Sequence, residues 1–206
     1  MANVLLLNGS PHAHGAIDLV LTEVAQTLQE CGLTTEIVHI GQQDIRGCIA
    51  CGRCGVLHHC AFDDAVNALA PKFEAADALI VGSPVYYASA NGTLTNLLDR
   101  LFYSTPFDKT MKVGAAVVSC RRGGASATFD QLNKYFTISG MPVASSQYWN
   151  SIHGNNAQEA AQDAEGLQVM RTLGRNVAFL VKSIAFGKEA MGLPEKEKRV
   201  GTNFIR

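Results

Sequence analysis

The sequence predicts a three-layer α/β fold, in which a parallel sheet of five strands is covered by helices on both faces. Short apolar runs alternate with amphipathic stretches along most of the chain, which is typical of repeated β-α-β units. Several runs are continuously apolar, such as Val-Leu-Leu-Leu at 4–7 and Ala-Leu-Ile-Val at 78–81, as in strands buried on both faces. The chain has 206 residues, of which 47% are hydrophobic, enough to build a full core.

The predicted elements follow one another in a regular order. Strands are predicted at residues 4–7, 35–40, 78–81, 113–118 and 141–147. Helices are predicted at residues 17–30, 64–76, 93–103, 126–139 and 157–187. Gly32 ends the first helix, and one face of the second carries Ala65, Leu69, Phe73 and Ala76. Five such strands suit the order 2-1-3-4-5 in one domain at 1–190, followed by a charged, irregular tail at 191–206.

Composition argues against several function classes. The formal net charge of -1 disfavours a nucleic-acid partner, which would require a basic face. The longest apolar runs are of strand length, so no membrane segment is predicted. The first residues lead into an apolar strand without the features of a signal peptide, so a cytoplasmic, reducing environment is expected. The six cysteines are then better explained as ligands, redox groups or core thiols than as disulfides.

The loops after strands one, three and four are expected to carry the chemistry, because ligands of such sheets bind beyond the carboxyl ends of the strands. The first loop, residues 8–17, places Ser10, His12 and His14 before a helix N-terminus, which suits a phosphate group. It lacks the G-x-G-x-x-G pattern, so a mononucleotide is favoured over a bound NAD. A polar turn with a serine cap is the other interpretation.

The other two loops suit a planar ring system. In the second loop, residues 82–92, at least one of the adjacent Tyr86 and Tyr87 is expected to face a cleft and stack on a ligand, although both could instead cover the end of the sheet. The third loop, residues 119–125, contains a Gly-Gly pair that allows close approach of the backbone. Its two arginines could meet the charge of a reduced flavin or of a nicotinamide donor, or form a solvated basic turn.

Taken together, the chain resembles the NADPH-dependent FMN reductase superfamily of flavodoxin-like proteins. The resemblance extends over nearly the whole chain. Its residues are Asn-Gly-Ser-Pro at 8–11, Ser-Pro-Val-Tyr-Tyr at 83–87, Leu-Asp-Arg at 98–100, Gly-Gly at 123–124, Tyr-Trp-Asn-Ser-Ile-His-Gly at 148–154 and Thr-Asn-Phe-Ile-Arg at 202–206.

The resemblance implies an FMN site built from the three loops. The phosphate would be held by Ser10, His12, Gly15, Ala16 and Ile17. The isoalloxazine would be lined by Pro84, Val85, Tyr86, Tyr87 and Ser89, and its pyrimidine side closed by residues 119–124, including Ser119, Arg122, Gly123 and Gly124. At His12, Ala16 and Ile17 the chain departs from the common family form, which often has Arg and Asn or Thr there. Backbone N–H groups are therefore expected to carry more of the phosphate binding.

Four cysteines form a compact motif, C-x2-C-x2-C-x5-C, within thirteen residues: Cys48, Cys51, Cys54 and Cys60. Compact four-cysteine runs of this kind wrap a [4Fe–4S] cluster, because each thiolate must reach one corner of the same cube. The spacing resembles that of the iron–sulfur flavoproteins, a branch of the same superfamily. Zinc, bound with or without His58 or His59, is an alternative, as is a loop that holds no metal.

The leading functional hypothesis is a flavin oxidoreductase. NAD(P)H would reduce bound FMN, and electrons would pass to a quinone, a flavin or another small acceptor. No catalytic side chain is assigned, although His153 and Tyr87 are candidate proton donors or substrate contacts. The alternative is a non-enzymatic electron carrier, against which the small net charge argues mildly. A homodimer or homotetramer is expected, because residues 149–153 and the long final helix carry surplus apolar surface.

Overall fold

The computed structural model describes residues 2–198, 200–202 and 204. Within these residues the strands are β1 (Asn3–Asn8), β2 (Thr34–His39), β3 (Ala78–Tyr86), β4 (Ser89–Ala90), β5 (Val113–Cys120) and β6 (Ser151–His153). The helices are α1 (Ala16–Glu30), α2 (Cys54–Leu57), α3 (Ala65–Ala75), α4 (Gly92–Ser104), α5 (Ala125–Ile138), α6 (Ala157–Ala160) and α7 (Ala164–Met191). The sequence motif at 202–206 includes Asn203, Ile205 and Arg206, which lie outside the described residues.

The sheet confirms the predicted topology. Its parallel strands run in the order β2-β1-β3-β5-β6, which is the order 2-1-3-4-5 once the short β4 is set aside. β4 pairs antiparallel with the end of β3 and forms a hairpin with it. Because β1, β3 and β5 are neighbours and parallel, the loops that follow them meet at one edge of the sheet.

The fifth strand was predicted in the wrong place. Residues 141–147 make a single parallel bridge, Gly114 to Val143, beside the beginning of β5. The strand itself is β6, which pairs with the end of β5 from Val118 to Cys120. Pro142 has no N–H to extend the ladder at 141–147, and after Ala144 the chain makes no further bridge to β5 before β6.

Helices cover both faces of the sheet and enclose two apolar cores. In one core, α1 and α7 pack against the side chains on one face of β1, β3 and β5, such as Leu6 and Ile80. In the other core, α3, α4 and α5 pack against the side chains on the opposite face of the same strands, such as Leu5 and Leu79. This alternation along parallel strands is why they are apolar at every position.

The final helix begins later than predicted. Residues 157–187 were expected to form one helix, but α6 ends at Ala160 and α7 starts at Ala164. Asp163 causes the break, because its Oδ1 accepts the N–H of Gly166 at 2.8 Å and caps α7. In the described residues no helix is long and apolar enough to cross a membrane.

Candidate functional site

A cleft of about 430 Å³ opens at the carboxyl ends of β1, β3 and β5. It is the place where the topology predicts a ligand site. The residues that line it come from all three predicted loops and from the segment after β6. They are Ser10, His12, His14, Gly15, Ala16, Ile17, Pro84, Val85, Tyr86, Ser119, Cys120, Arg121, Gly154, Asn155, Asn156, Ala157 and Gln158.

The first loop is held in shape by its own side chains. The buried Asn8 accepts the N–H of Ser10 at 3.0 Å, and the Ser10 hydroxyl accepts the N–H of His12 at 3.1 Å. Gly15 occupies the cap position of α1, and no side chain caps the first turn of this helix. Its N–H groups therefore remain available to an anion at the positive end of the helix dipole.

The end of β2 and the residues just after it pack against the backbone of the first loop. A Cβ at Gly41 would lie 1.9 Å from the Ser10 carbonyl oxygen, so the two backbones are in direct contact there. His39 Nε2 lies 2.6 Å from the same oxygen. The sequence contains no pattern that indicates this support, because it depends on how two neighbouring strands end.

The second loop is the β3–β4 hairpin, and only part of it faces the cleft. Tyr86 lines the cleft, where burial raises the pKa of its phenol. Tyr87 and Ala88 form the two-residue turn with φ angles of 50° and 57°, and the Tyr87 ring is fully exposed. Ser89 turns away and donates its hydroxyl to Gln131 at 2.9 Å. Among the described residues, Tyr87 and Ser89 do not line the cleft.

The third loop lines the cleft with only the first half of the predicted stretch 119–124. The residues of this loop that line the cleft are Ser119, Cys120 and Arg121. Among the described residues that line it, there is no contribution from Arg122, Gly123 or Gly124. Gly124 packs under the hairpin instead: with φ at 90°, a Cβ there would lie 2.8 Å from the Cα of Ala88. Burial raises the pKa of the Cys120 thiol, so it is held as a neutral side chain in the wall.

Residues 154–158 form a wall that sequence reasoning missed. It comprises the link between β6 and α6 and the first two residues of α6, which Asn156 caps by accepting the N–H of Glu159 at 2.9 Å. Asn155 donates both its backbone and its side-chain N–H to the Glu159 carboxylate, at 2.8 and 2.7 Å. The run Gly-Asn-Asn was the available signal, because such residues favour turns and helix caps.

The four motif cysteines surround a second, smaller cavity of about 30 Å³. Cys48 and Cys51 lie on its exposed side, and Cys54 opens the short helix α2. Cys60 closes the loop, and its backbone is tied at both ends to Asn67: its N–H donates to Oδ1 and its carbonyl accepts from Nδ2, both at 3.0 Å. The opposite wall is formed by Arg100, Tyr103 and Ser104 of α4.

A buried arginine connects this loop to the core. Arg100 is 1% exposed and forms a two-pronged ion pair with Asp64, at 2.7 and 2.9 Å. Its Nε and Nη2 both lie 3.2 Å from Cys60 Sγ. Desolvation alone would lower the pKa of the guanidinium, but the Asp64 and Cys60 partners outweigh it and raise that pKa.

With this geometry established, comparison with known proteins decides the family. Residues 2–156 match the family described as NADPH-dependent FMN reductase. The chain belongs to this family. The FMN reductase family match covers all three loops of the cleft and the cysteine motif, so the chain is a flavin-dependent oxidoreductase with a fold suited to FMN.

One sequence relative supports this assignment, and two solved structures share the fold. This FMN reductase family member is 32% identical over 192 residues to an iron-sulfur flavoprotein of Methanocaldococcus jannaschii, covering 88% of this chain and 98% of that one. A flavodoxin from the domain Archaea shares the fold with a TM-score of 0.60 and 15% identity, covering 87% of this chain and 99% of the other. An NAD(P)H:quinone oxidoreductase from Methanothermobacter marburgensis has a TM-score of 0.65 and 17% identity, covering 85% and 95%.

The four motif cysteines all line the second cavity, and thiolates are the donors that hold iron–sulfur clusters. Among the described residues, no three His, Cys, Asp or Glu side chains come together closely enough to bind one ion.

Proposed function

We propose that the chain is an FMN-dependent oxidoreductase that takes electrons from NAD(P)H and passes them to a quinone, a flavin or another small acceptor. The observation that carries this proposal is the cleft, which is lined by the uncapped N-terminus of α1 together with Tyr86 and Arg121. Family membership supports the flavin. The name of the quinone oxidoreductase with the same fold supports the class of acceptor.

Each wall of the cleft has a distinct task in this proposal. The N–H groups of the first turn of α1 and the Ser10 hydroxyl bind the phosphate of FMN. Pro84, Val85 and Tyr86 provide an apolar surface for the isoalloxazine. Arg121 supplies positive charge at the same opening, while Tyr87, Ser89, Arg122, Gly123 and Gly124 remain proposed contacts through the hairpin and the third loop. Bound FMN itself supplies hydride acceptance and onward electron transfer.

A carboxylate placed where the phosphate would bind tests the cleft directly. Ala16 is the first residue of α1 and lines the cleft, whereas Ala164 is the first residue of α7 and is exposed. We expect Ala16→Asp to weaken FMN binding at least tenfold by charge repulsion, and Ala164→Asp to leave it unchanged. Fluorescence titration with FMN measures both affinities. Equal affinity in the two variants would place the phosphate elsewhere.

Turnover tests the reaction. Purified protein with FMN and a benzoquinone should oxidise NADH or NADPH, and the released flavin should be FMN. Absence of NAD(P)H oxidation in protein that binds FMN would favour the second candidate, an electron carrier that exchanges single electrons with protein partners. The iron-sulfur flavoprotein named among the relatives and the cysteine cavity are the observations that favour this candidate.

We also propose that Cys48, Cys51, Cys54 and Cys60 bind a [4Fe–4S] cluster, which would supply one-electron exchange. The support is that all four cysteines line one cavity, together with the names of the relatives. Such thiolates require a reducing compartment such as the cytoplasm. Iron and acid-labile sulfide analysis after anaerobic purification tests the cluster, with Cys54→Ser as the comparison. Zinc without iron would contradict it.

The two sites suggest a homo-oligomer, which we propose as a dimer or tetramer. In the described part of the chain, the cleft and the cysteine cavity have no lining residue in common. Ile49 and Tyr103 line the cysteine cavity and are 53% and 73% exposed, and Val56, two residues after Cys54 on α2, is 82% exposed. We call these three apolar side chains the apolar rim. Covering this apolar rim with a second copy would shield it from water and could bring the cavity of one copy to the cleft of another.

A further inference from the structure

Arg100 is a charged side chain at a buried position of the kind that an apolar side chain usually occupies. It lies at 1% exposure on the inner face of α4, between Leu97 and Leu101, which are both fully buried. Burying a charge is costly unless it is paired and hydrogen-bonded, and a well-packed apolar side chain is often at least as stabilising. A buried arginine at this position therefore calls for a role beyond packing.

The hydrogen bonds of Arg100 converge on the two ends of the cysteine loop. Nη1 donates to the Arg46 carbonyl at 3.2 Å, just before Cys48, and Nη2 lies 3.3 Å from the Phe62 carbonyl, just after Cys60. Asp64 orients the guanidinium from the opposite side through both carboxylate oxygens. The side chain thus joins the start and the end of the loop to one rigid group on α4.

The same guanidinium distinguishes one cysteine from the other three. Two charged N–H donors reach Cys60 Sγ, both at 3.2 Å. Cys48 Sγ receives a single backbone N–H, from Ala50 at 3.5 Å. Within the described residues, Cys51 and Cys54 accept no hydrogen bond at sulfur. Hydrogen bonds to the sulfurs of an iron–sulfur centre are one of the factors that set its reduction potential.

We propose that Arg100 is a positioning residue for Cys60, which it holds at the end of the loop while donating two N–H groups to its sulfur, so that the cluster is reduced at a higher potential. The inference rests on the proposed iron–sulfur function. Reduction of a bound cluster would add one electron, and hence one negative charge, to the cluster with its four thiolates. Donors aimed at one of those sulfurs stabilise the more negative state and so raise the potential.

Two substitutions change the potential in opposite directions. Arg100→Lys keeps the charge but loses the planar set of donors, and is expected to lower the potential. Asp64→Asn keeps one acceptor oxygen for Arg100 but removes the negative charge that neutralises it, and is expected to raise the potential. Asn also caps helices, so α3, which Asp64 now caps through the N–H of Val66 at 3.0 Å, is preserved.

Arg46→Lys is the matched control. The Arg46 guanidinium stacks over Phe62 at 4.5 Å and makes no hydrogen bond to a cysteine sulfur in the described chain. All variants are purified anaerobically from the full chain, assayed for iron and sulfide, and measured by potentiometry with electron paramagnetic resonance. The expected order of potentials is Asp64→Asn highest, wild type and Arg46→Lys equal, and Arg100→Lys lowest.

The outcomes separate this inference from the function on which it rests. Wild-type protein without iron and sulfide contradicts the cluster and, with it, the role of Arg100. If the wild type holds the cluster and Arg100→Lys has the same reduction potential, only the role of Arg100 is contradicted, and the cluster stands. Where Arg100→Lys fails to retain iron, Asp64→Asn decides: a raised potential supports the inference, and an unchanged or lowered one overturns it.

Discussion

At the scale of one residue, Gly41 determines whether the first loop can keep its shape. Because a Cβ there would lie 1.9 Å from the Ser10 carbonyl oxygen, Gly41→Ala forces the first loop to move. We expect the free energy of unfolding to fall by about 1–3 kcal/mol, the usual cost of overpacking. FMN affinity should fall as well, because Ser10 lines the cleft. Urea unfolding and fluorescence titration measure the two effects.

Gly187 provides the control for this change. It lies inside α7, and a Cβ there would meet no atom within 4 Å. Gly187→Ala should therefore stabilise the protein by about 0.5–1 kcal/mol through helix propensity and leave FMN affinity unchanged. A loss of FMN affinity in both variants would show that the effect at Gly41 does not come from the first loop.

At the scale of an element, the β3–β4 hairpin carries strain at its turn. Tyr87 and Ala88 both have positive φ, a conformation that costs non-glycine residues about 1–2 kcal/mol each. Asn-Gly is the preferred pair for such two-residue turns. We expect the double variant Tyr87→Asn, Ala88→Gly to raise the stability of the FMN-free protein by about 1 kcal/mol after the entropic cost of the added glycine.

The same double variant tests whether the strain serves binding. If the exposed Tyr87 ring closes over the flavin, FMN affinity should fall while stability rises, as expected where strain is kept at a functional site. Thermal unfolding without FMN and titration with FMN measure the two quantities. Higher stability with unchanged affinity would remove Tyr87 from the set of proposed FMN contacts.

The start of α7 predicts a pH dependence. Partial burial would raise the pKa of Asp163, but the N–H groups of Gly166 and His153 and the His153 ring outweigh it and lower that pKa below its ordinary 3.8. A carboxyl group with a lowered pKa stabilises the fold above its ordinary pKa and loses this contribution as the pH falls through the lowered value. Asp163 therefore stabilises α7 and β6 above about pH 4 and less at lower pH.

Asp163→Asn tests this contribution, because Asn can still accept the Gly166 N–H but cannot titrate. Between about pH 7 and about pH 3, the wild type should lose more unfolding free energy than the variant. Urea unfolding at the two pH values measures the difference. An equal loss in both proteins would assign the acid sensitivity to other carboxylates.

At the scale of the whole molecule, the apolar rim of the cysteine cavity predicts how copies associate. Val56 is 82% exposed on α2, and we expect Val56→Glu to shift sedimentation toward smaller species by placing a charge in the interface. Phe179→Glu is the matched substitution at another exposed apolar residue. Phe179 is 70% exposed on α7, the helix that packs against α1. Dissociation by Phe179→Glu instead would place the interface on α7.

Local pattern determined most of the architecture of this protein. The predicted strands at 4–7, 78–81 and 113–118 lie within β1, β3 and β5. They could be predicted because a strand buried on both faces is apolar at successive positions, a signal that the segment carries in its own sequence. Four predicted helices, 17–30, 64–76, 93–103 and 126–139, begin and end within one residue of α1, α3, α4 and α5. β6 escaped prediction because three residues, Ser-Ile-His, carry no periodic signal and owe their pairing to the end of β5.

The sequence by itself therefore determined the order of the sheet, the edge at which its loops meet and the spacing of the cysteines. Only the tertiary structure decided which loop side chains face the cleft: Tyr86 but not Tyr87, and Arg121 but not Arg122. It alone brought Arg100 to Cys60, 40 positions earlier in the chain. The physical reason is that periodicity records how each segment is buried, whereas a site depends on contacts between segments whose relative placement is set by packing across the sheet.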